Sequence, residues 1–231
     1  MIVAFVYDFP HFKSAQGLFA LKRAGHDVRC VAAPWRKLPL HESHYQFRTI
    51  DMADAHHPRE AAAALGYEYE AIDHSEVRLG PGETGLVLGA RVLPAVVVES
   101  GPIVNLHPGV LPLNRGLDTL KWAVHDGLPQ AVSVHRIDAR VDRGALLHEE
   151  IVRVHGDDSP ADIYNRVMWA QIALVAEAVR LVQDDGRPVA KGVYRRPMSA
   201  AQDLETVQRF ALYKRHYATI CDAYAGVRAA A

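Results

Sequence analysis

The sequence predicts an α/β fold in which a mostly parallel, Rossmann-like sheet carries helices on both faces and a helical tail follows at the C-terminus. The first observation is alternation: an apolar run at 2–7, a helical pattern closed by Gly25, and a second apolar run at 26–32. Strands that are apolar on both faces and alternate with helices are typical of parallel βαβ units. The second observation is that strand-like runs return after residue 84, and the third is a long helical pattern that begins at Ser159.

The remaining elements follow from local signals. Residues 57–66 predict a short helix, because Pro58 suits the first helical position and Gly66 suits the residue after the last. Further predicted elements are strands at 85–89, 103–106 and 131–137, a helix at 117–125, a helix from Ser159 through Trp169 and Leu181 to Gly186, and a helical tail at 200–225. We therefore expect one domain at 1–198 and a helical C-terminal extension at 199–231.

Composition narrows the classes of function. The chain has 26 basic and 27 acidic residues and a net charge of −1, which argues against a large nucleic-acid interface. Its two cysteines are far apart in the sequence and form no disulfide framework or metal-ligand spacing, so we expect a reducing compartment and no metal. The apolar opening is too short for a signal peptide, and no run reaches the length of a membrane span. A cytoplasmic location without a membrane partner is expected.

Asn105 and His107 lie two residues apart at the end of a predicted strand, a spacing that puts both side chains on one face. Pro108 ends the strand there. Asp142 follows the next strand, and Gly144 just after it allows a tight turn that returns the carboxylate. We expect the amide, the imidazole and the carboxylate to meet at the carboxyl edge of the sheet, where open α/β sheets bind ligands.

Those three groups suit acyl transfer to an amine. Asn105 and His107 can donate to a developing oxyanion, while Asp142 can orient His107 and manage the proton of the attacking nitrogen. Taken singly, each has an ordinary explanation: a structural histidine, a turn-forming asparagine and an aspartate in a loop.

The pattern becomes more specific when four motifs are taken together. In chain order they are Asn105-Leu106-His107-Pro108 with Leu111-Pro112, Arg115-Gly116, His135 with Asp138, and Asp142 with Gly144. Together they resemble the catalytic core of the formyltransferases that use 10-formyltetrahydrofolate. The resemblance implies the formyltransferase fold, a 10-formyltetrahydrofolate donor, and Asn105, His107 and Asp142 as the catalytic residues.

The resemblance is strong over 83–185 and loose over 1–82, and it makes 1–198 the catalytic domain. One position departs from the family, which often has Ser where this chain has Gly109. By the same matching, the pterin pocket is formed by a segment after one strand and a loop after another, whose candidate residues are Arg91, Val92, Leu93, Asp138, Ala139 and Val141.

The acceptor is judged mainly by what the sequence lacks. The family member that formylates glycinamide ribonucleotide has a glycine-rich phosphate loop after its first strand, whereas this chain has Asp8-Phe9-Pro10-His11-Phe12. The member that formylates initiator tRNA has a further basic C-terminal domain, for which about 45 residues after the last secure helix are too few. Both acceptors are disfavoured.

The short sugar N-formyltransferases remain as the closest group, and they imply a nucleotide-linked amino sugar as acceptor. Tyr194, Arg195 and Arg196 resemble a segment of that group that could bind a diphosphate. Further candidates for the acceptor pocket are His11, Tyr7, Trp35 and Trp122. The ordinary alternatives are a solvated arginine pair and aromatic residues of the core.

Several alternatives stay open at this point. The amine could belong to a non-sugar compound of a secondary-metabolite pathway or to glycinamide ribonucleotide. The chain could also be a non-catalytic regulator that binds folate or a nucleotide sugar, because a fold alone does not establish a function. A homodimer is compatible with the sequence.

Overall fold

The computed structural model describes residues 1–34 and 56–229, which form a sheet covered by helices. The strands are β1 Ile2–Tyr7, β2 Val28–Ala33, β3 Glu68–Ala71, β4 Thr84–Val87, β5 Ile103–His107, β6 Arg115–Gly116, β7 Ala131–Arg136, β8 Ala145–Ile151, β9 Arg187–Pro188 and β10 Tyr194–Arg195. The helices are α1 Phe12–Arg23, α2 Pro58–Leu65, α3 Ala95–Val98, α4 Thr119–Asp126, α5 Pro160–Ala173, α6 Val175–Leu181, α7 Ala200–Arg215 and α8 Tyr217–Ala229, with a 3₁₀ turn at His74–Glu76.

Eight strands form the main sheet in the order β3-β2-β1-β4-β5-β7-β8-β9. The pairs from β3 to β5 are parallel, whereas β7, β8 and β9 pair antiparallel. The predicted fold class, a mostly parallel sheet with helices on both faces, is confirmed. Strands β6 and β10 form a separate parallel pair, which joins the segment after β5 to the segment before the C-terminal helices.

Local sequence signals explain several element boundaries. Helix α2 has Pro58 in its first turn and ends at Gly66 with a φ of 71°, a left-handed conformation that favours glycine. Helix α5 begins with a capping box in which the side chains of Ser159 and Asp162 each accept from the other's backbone N–H. Both boundaries were predicted from these residues.

One helical prediction is corrected in detail. The pattern that begins at Ser159 is not one helix, because the backbone at Leu174 has a ψ of −2° and divides it into α5 and α6. The predicted helical tail is confirmed, and it consists of two helices, α7 and α8, which meet at His216. Strands β3 and β8 were not predicted, since their sequences lack the continuous apolar run of a strand covered on both faces.

The C-terminal helices pack on the body of the protein. Phe210, Tyr213 and Tyr217 belong to the main hydrophobic core. The ammonium of Lys121 on α4 lies 2.7 Å from the carboxylate of Asp203 on α7, which is fully buried. A separate extension at 199–231 stays a prediction. Within the described part of the chain, none of the helices has the length and apolar character to cross a bilayer.

Candidate active site

Strand β5 brings Asn105 and His107 together with a second histidine. In the antiparallel pairing of β5 with β7, Asn105 lies opposite His135 and His107 lies opposite Ser133. The amide nitrogen of Asn105 is 3.2 Å from Nε2 of His135, and the rings of His107 and His135 meet edge to face at 6.2 Å. The spacing of two therefore places both predicted side chains in one cluster, as expected for a strand.

His135 fixes the orientation of the Asn105 amide. Its Nδ1 lies 3.0 Å from the carbonyl oxygen of Arg143, and burial, aided by the neighbouring charge of His107, lowers the pKa of His135 to about 4. A neutral ring that donates from Nδ1 presents the lone pair of Nε2 to the Asn105 amide. One amide N–H of Asn105 is thereby used, and the other is left for a ligand.

His107 is 4 % exposed and has an acceptor at each ring nitrogen. Nε2 donates to the carbonyl oxygen of Asn114 at 2.8 Å, and Nδ1 is 3.4 Å from a carboxylate oxygen of Asp142. The second carboxylate oxygen of Asp142 accepts from the backbone N–H of Gly116 at 2.7 Å. An imidazolium donates at both nitrogens, which matches the two acceptors around His107.

The loop that carries Asp142 takes an unusual path. Asp142 has a φ of 45° and Gly144 a φ of 93°. A Cβ on Gly144 would lie 2.1 Å from the carbonyl oxygen of Arg136, so the turn requires glycine. The guanidinium of Arg115 donates to the carbonyl oxygens of Val141 and Asp142. The left-handed backbone of Asp142 is therefore held by contacts from outside the loop.

The expected position of this loop at the carboxyl edge of parallel strands is wrong. Strand β7 runs antiparallel to β5, and the N–H of Ile137 donates to the carbonyl oxygen of Ile103, the first residue of β5. The loop consequently starts beside the beginning of β5 and follows that strand until Asp142 reaches His107. The three groups still meet, but along β5 rather than between the carboxyl ends of adjacent parallel strands.

A cavity of about 400 Å³ opens beside these groups. Both predicted pterin segments line it, together with Asn105 and Asp142. The full lining is Tyr7, Val87, Ala90, Arg91, Val92, Leu93, Val98, Asn105, Gly116, Leu117, Ile137, Asp138, Ala139, Arg140, Val141, Asp142 and Tyr194. His107 is not part of this surface, and it lies behind Asp142. The structure brings all six predicted cofactor residues to one cavity, and their roles stay predictions.

The polar groups of the lining are partly neutralised. Burial opposes the ionisation of Asp138, but hydrogen bonds from Arg140 outweigh it and hold the pKa of Asp138 below its ordinary value. Burial raises the pKa of Tyr7, although the positive charge of Arg91 acts in the other direction. A neutral phenol and an ion-paired carboxylate leave a largely apolar cavity, which is typical of small-molecule sites.

The predicted acceptor residues do not form one pocket. Tyr194 and Tyr7 both line the cavity, although they lie far apart in the sequence. Arg195 is ion-paired with Asp126 and lies 4.5 Å above the ring of Trp122. Trp122 is 5 % exposed, and its indole N–H donates to the carbonyl oxygen of Arg196 at 2.9 Å.

Trp122 is therefore buried beneath Arg195 and is absent from the lining of this cavity, and its role in acceptor binding stays a prediction. Arg196 is exposed to solvent. His11 caps α1 by accepting from the N–H of Ser14, and its ring lies 5.0 Å from that of Tyr7. Trp35, the remaining candidate, lies outside the described residues.

Sequence analysis missed three contributors to this site. His135 orients Asn105, Arg115 holds the Asp142 loop, and Lys13 donates to the carbonyl oxygen of Leu106 at 2.8 Å. His135 and Arg115 stood within the recognised motifs, whereas Lys13 had no signal beyond its charge in the first turn of a helix. Among residues 1–34 and 56–229, no cluster of three or more His, Cys, Asp or Glu side chains is arranged to hold a metal ion.

Comparison with known proteins supports the resemblance to formyltransferases that the sequence motifs show. The family described as formyl transferase matches residues 61–179, slightly more than half of the chain. The dTDP-4-amino-4,6-dideoxyglucose formyltransferase of Mycobacterium tuberculosis is 27% identical over 122 residues, which cover 53% of this chain and 52% of that protein. The GDP-perosamine N-formyltransferase of Brucella melitensis is 36% identical over 86 residues, covering 37% of this chain and 33% of that protein.

The chain thus spans about half, or less, of the length of these curated relatives. Among solved structures, a 4-N formyltransferase from Francisella tularensis superposes with a TM-score of 0.59 at 17% identity, covering 90% of this chain and 87% of that one. That likeness shows the fold. Because the family match at 61–179 includes Asn105 and His107 on β5 and the loop with Asp142, the conclusion is that the chain belongs to the formyltransferase family.

Proposed function

We propose that the protein is an N-formyltransferase that moves a formyl group from 10-formyltetrahydrofolate to the primary amine of a nucleotide-linked amino sugar. The observation that carries the proposal is that Asn105 and Asp142 line one cavity with both candidate pterin segments. A hydrogen-bond donor and a proton acceptor are then available at the place where a formyl group bound in the cavity would be attacked.

The chemistry follows from these two side chains. The neutral amine attacks the formyl carbon and forms a new carbon–nitrogen bond. The second N–H of Asn105 stabilises the negative charge that develops on the formyl oxygen. Asp142 accepts the proton of the attacking nitrogen and returns it to the folate nitrogen as the old carbon–nitrogen bond breaks. Protons and bonds balance without a metal or an external reductant.

His107 acts through Asp142 in this proposal. Both of its ring nitrogens face acceptors, and it does not reach the cavity surface. It therefore orients the carboxylate of Asp142 and places a hydrogen-bond donor beside it. In this proposal His107 no longer donates directly to the oxyanion, as the sequence analysis expected. Asn105 is the donor nearest to the substrate.

The donor side of the cavity suits a pterin. Val92, Leu93, Val98 and Ile137 supply apolar surface on its two walls. The 138–142 loop adds backbone groups that can meet the hydrogen-bonding edge of a flat heterocycle. The volume of about 400 Å³ lies within the usual range for small-molecule pockets. Folate binding between these two segments stays part of the proposal.

The acceptor is inferred from two sides. The curated relatives named above act on amino sugars carried by dTDP or GDP. The residues at the end of β1 argue against a simple ribonucleotide phosphate as the acceptor. There, Asp8 accepts hydrogen bonds from Tyr69 at 2.7 Å and from Arg59 at 3.1 Å. Burial opposes the ionisation of Asp8, but these hydrogen bonds hold its pKa below its ordinary value, so the end of β1 carries a carboxylate ion-paired with Arg59 instead of a glycine-rich phosphate loop.

A panel of amines tests the proposal. Purified protein is supplied with 10-formyltetrahydrofolate labelled in the formyl carbon and with dTDP-, UDP- or GDP-linked amino sugars, the free amino sugars and glycinamide ribonucleotide. Mass spectrometry should find the label on a nucleotide-linked amine. Label on glycinamide ribonucleotide would overturn the acceptor class, and folate binding without transfer to any amine would favour the regulator alternative.

A further inference from the structure

Lys13 reaches the catalytic strand from a different layer of the fold. It lies in the first turn of α1, and its ammonium donates to the carbonyl oxygen of Leu106 at 2.8 Å. Leu106 is the residue between Asn105 and His107. The contact therefore fixes the peptide that joins the two side chains of the candidate site.

The ammonium also shares the electrostatic field of the site. Desolvation lowers the pKa of Lys13 to about 7, and the negative charge of Asp142 opposes that shift. The positive charge of Lys13 in turn disfavours protonation of His135, although this effect is smaller than those of burial, His107, Asp142 and the Arg143 carbonyl oxygen. Lys13 is thus coupled electrostatically to His135 on β7 and to Asp142 in the loop that follows β7.

Another lysine on the same helix provides the comparison. Lys22 also donates to a backbone carbonyl, that of Leu65, at 2.8 Å. It does so at an exposed position, with its ammonium 5.1 Å from the ring of Tyr67 and away from the cavity. A lysine can therefore bond to a backbone carbonyl at an exposed position. Lys13 makes its bond at a desolvated position, where a charge is costly unless something compensates it.

We propose that Lys13 is a positioning residue for formyl transfer, which holds the peptide between Asn105 and His107 through its hydrogen bond to the carbonyl oxygen of Leu106. In its protonated form Lys13 also favours the ionised Asp142 carboxylate that must accept the proton of the amine. This inference rests on the proposed function for its catalytic meaning, whereas the charge coupling itself is a property of the fold.

The kinetic test uses Lys13→Met, Lys13→Arg and the control Lys22→Met. Lys13→Met should lower kcat by about tenfold to a hundredfold, a loss typical of misplaced catalytic groups, with KM values for folate and amine changed less. The acid limb of its rate profile should move to higher pH. Lys13→Arg keeps the charge and should recover part of the rate, and Lys22→Met should match the native protein.

A second readout does not need activity. The imidazole of His135 is titrated by NMR in the native protein, Lys13→Met and Lys22→Met. Removing the Lys13 charge should move the titration of His135 upward, while the Lys22 change should leave it in place. An unchanged titration, or a kcat within about twofold of native, would overturn the inference. If the native protein formylates no amine, the proposed function fails, and the titration alone decides whether Lys13 is coupled to the site.

Discussion

The residues around β5 and those around β10 are held differently. At β5, Asn105 is bonded to His135, and the Asp142 carboxylate lies between His107 and the N–H of Gly116. At β10, Tyr194 is about half exposed. The neighbouring arginine, Arg195, is committed to Asp126 and Trp122 instead of the cavity.

This difference separates chemistry from recognition. Side chains that must hold one geometry are tied to several elements at once, and such pre-organisation is what transition-state stabilisation requires. Near β10, Arg195 is tied to Asp126 and Trp122, whereas the guanidinium of Arg196 is exposed to solvent. We therefore expect changes near β5 to alter turnover, and changes near β10 to alter the KM for the amine.

The largest effect is expected for Asp142→Asn. An amide keeps the shape and can still lie beside His107, but it cannot take up the proton of the amine. Turnover should fall by about a thousandfold, within the usual range for a lost general base. Steady-state kinetics are measured together with folate affinity by titration. Near-native turnover, or a loss explained wholly by weaker folate binding, would contradict the role of Asp142.

Asn105→Ala should have the next largest effect, about a hundredfold in kcat, because one oxyanion donor is lost. His107→Ala should be harmful as well, since the carboxylate of Asp142 loses its neighbour. The double variant should be little worse than the more damaging single variant, because groups that act as a unit lose activity non-additively. Full additivity of the two losses would mean that Asn105 and His107 act independently.

A third prediction concerns the donor pocket. Leu93 is buried in the cavity wall, and Leu93→Glu should weaken tetrahydrofolate binding by about tenfold or more, because a charge would be buried there. Val96→Glu is the control, since Val96 lies three residues away and is 50 % exposed. Because Leu93 also packs in the core, Leu93→Ala and a circular dichroism spectrum check the fold. Unchanged binding in a folded Leu93→Glu protein would place folate elsewhere.

The difference between local signals and contacts of distant residues explains what could be predicted from the sequence. Apolar runs and caps such as Ser159 predicted the helices and strands, because these signals are local. The spacing of Asn105 and His107 predicted that their side chains share one face of a strand. The antiparallel direction of β7 was not predictable, since direction depends on how a connection crosses the sheet. Likewise Trp122 gave no sign that Arg195 would cover it, because that contact joins residues distant in sequence.

Smaller effects are expected on the acceptor side. Arg196→Ala should raise the KM for the amine several-fold and leave the KM for formyl-folate unchanged, because an exposed guanidinium can bind a diphosphate. Arg195→Ala should instead lower stability by about 1 kcal/mol through the lost cation–π contact with Trp122. The KM values and the free energy of unfolding in urea separate the two. A changed folate KM in Arg196→Ala would assign the segment to the donor.

The smallest expected effect is on stability and depends on pH. Because desolvation lowers the pKa of Lys13 to about 7, the unfolded chain binds this proton more tightly than the folded protein. The cost of the buried charge is fully present below the folded pKa and disappears as pH rises towards the ordinary lysine value of about 10.4. Lys13→Met should therefore raise Tm by roughly a few degrees near pH 6 and by less near pH 9.

Calorimetry at both pH values measures this difference. A fall in Tm near the lower pH would mean that the hydrogen bond to Leu106 outweighs the cost of the buried charge. In that case Lys13 would serve the fold rather than the site.

The most direct measurement of the central claim is a single-turnover experiment with formyl-labelled 10-formyltetrahydrofolate, comparing native protein with Asp142→Asn. In the presence of the nucleotide-linked amino sugar that the panel identifies, the native protein should transfer the label to the amine and release tetrahydrofolate in equal amount. Asp142→Asn should bind the same folate and leave the label on it. Label transfer at equal rates in both proteins, or none in the native protein with any amine, would contradict the account.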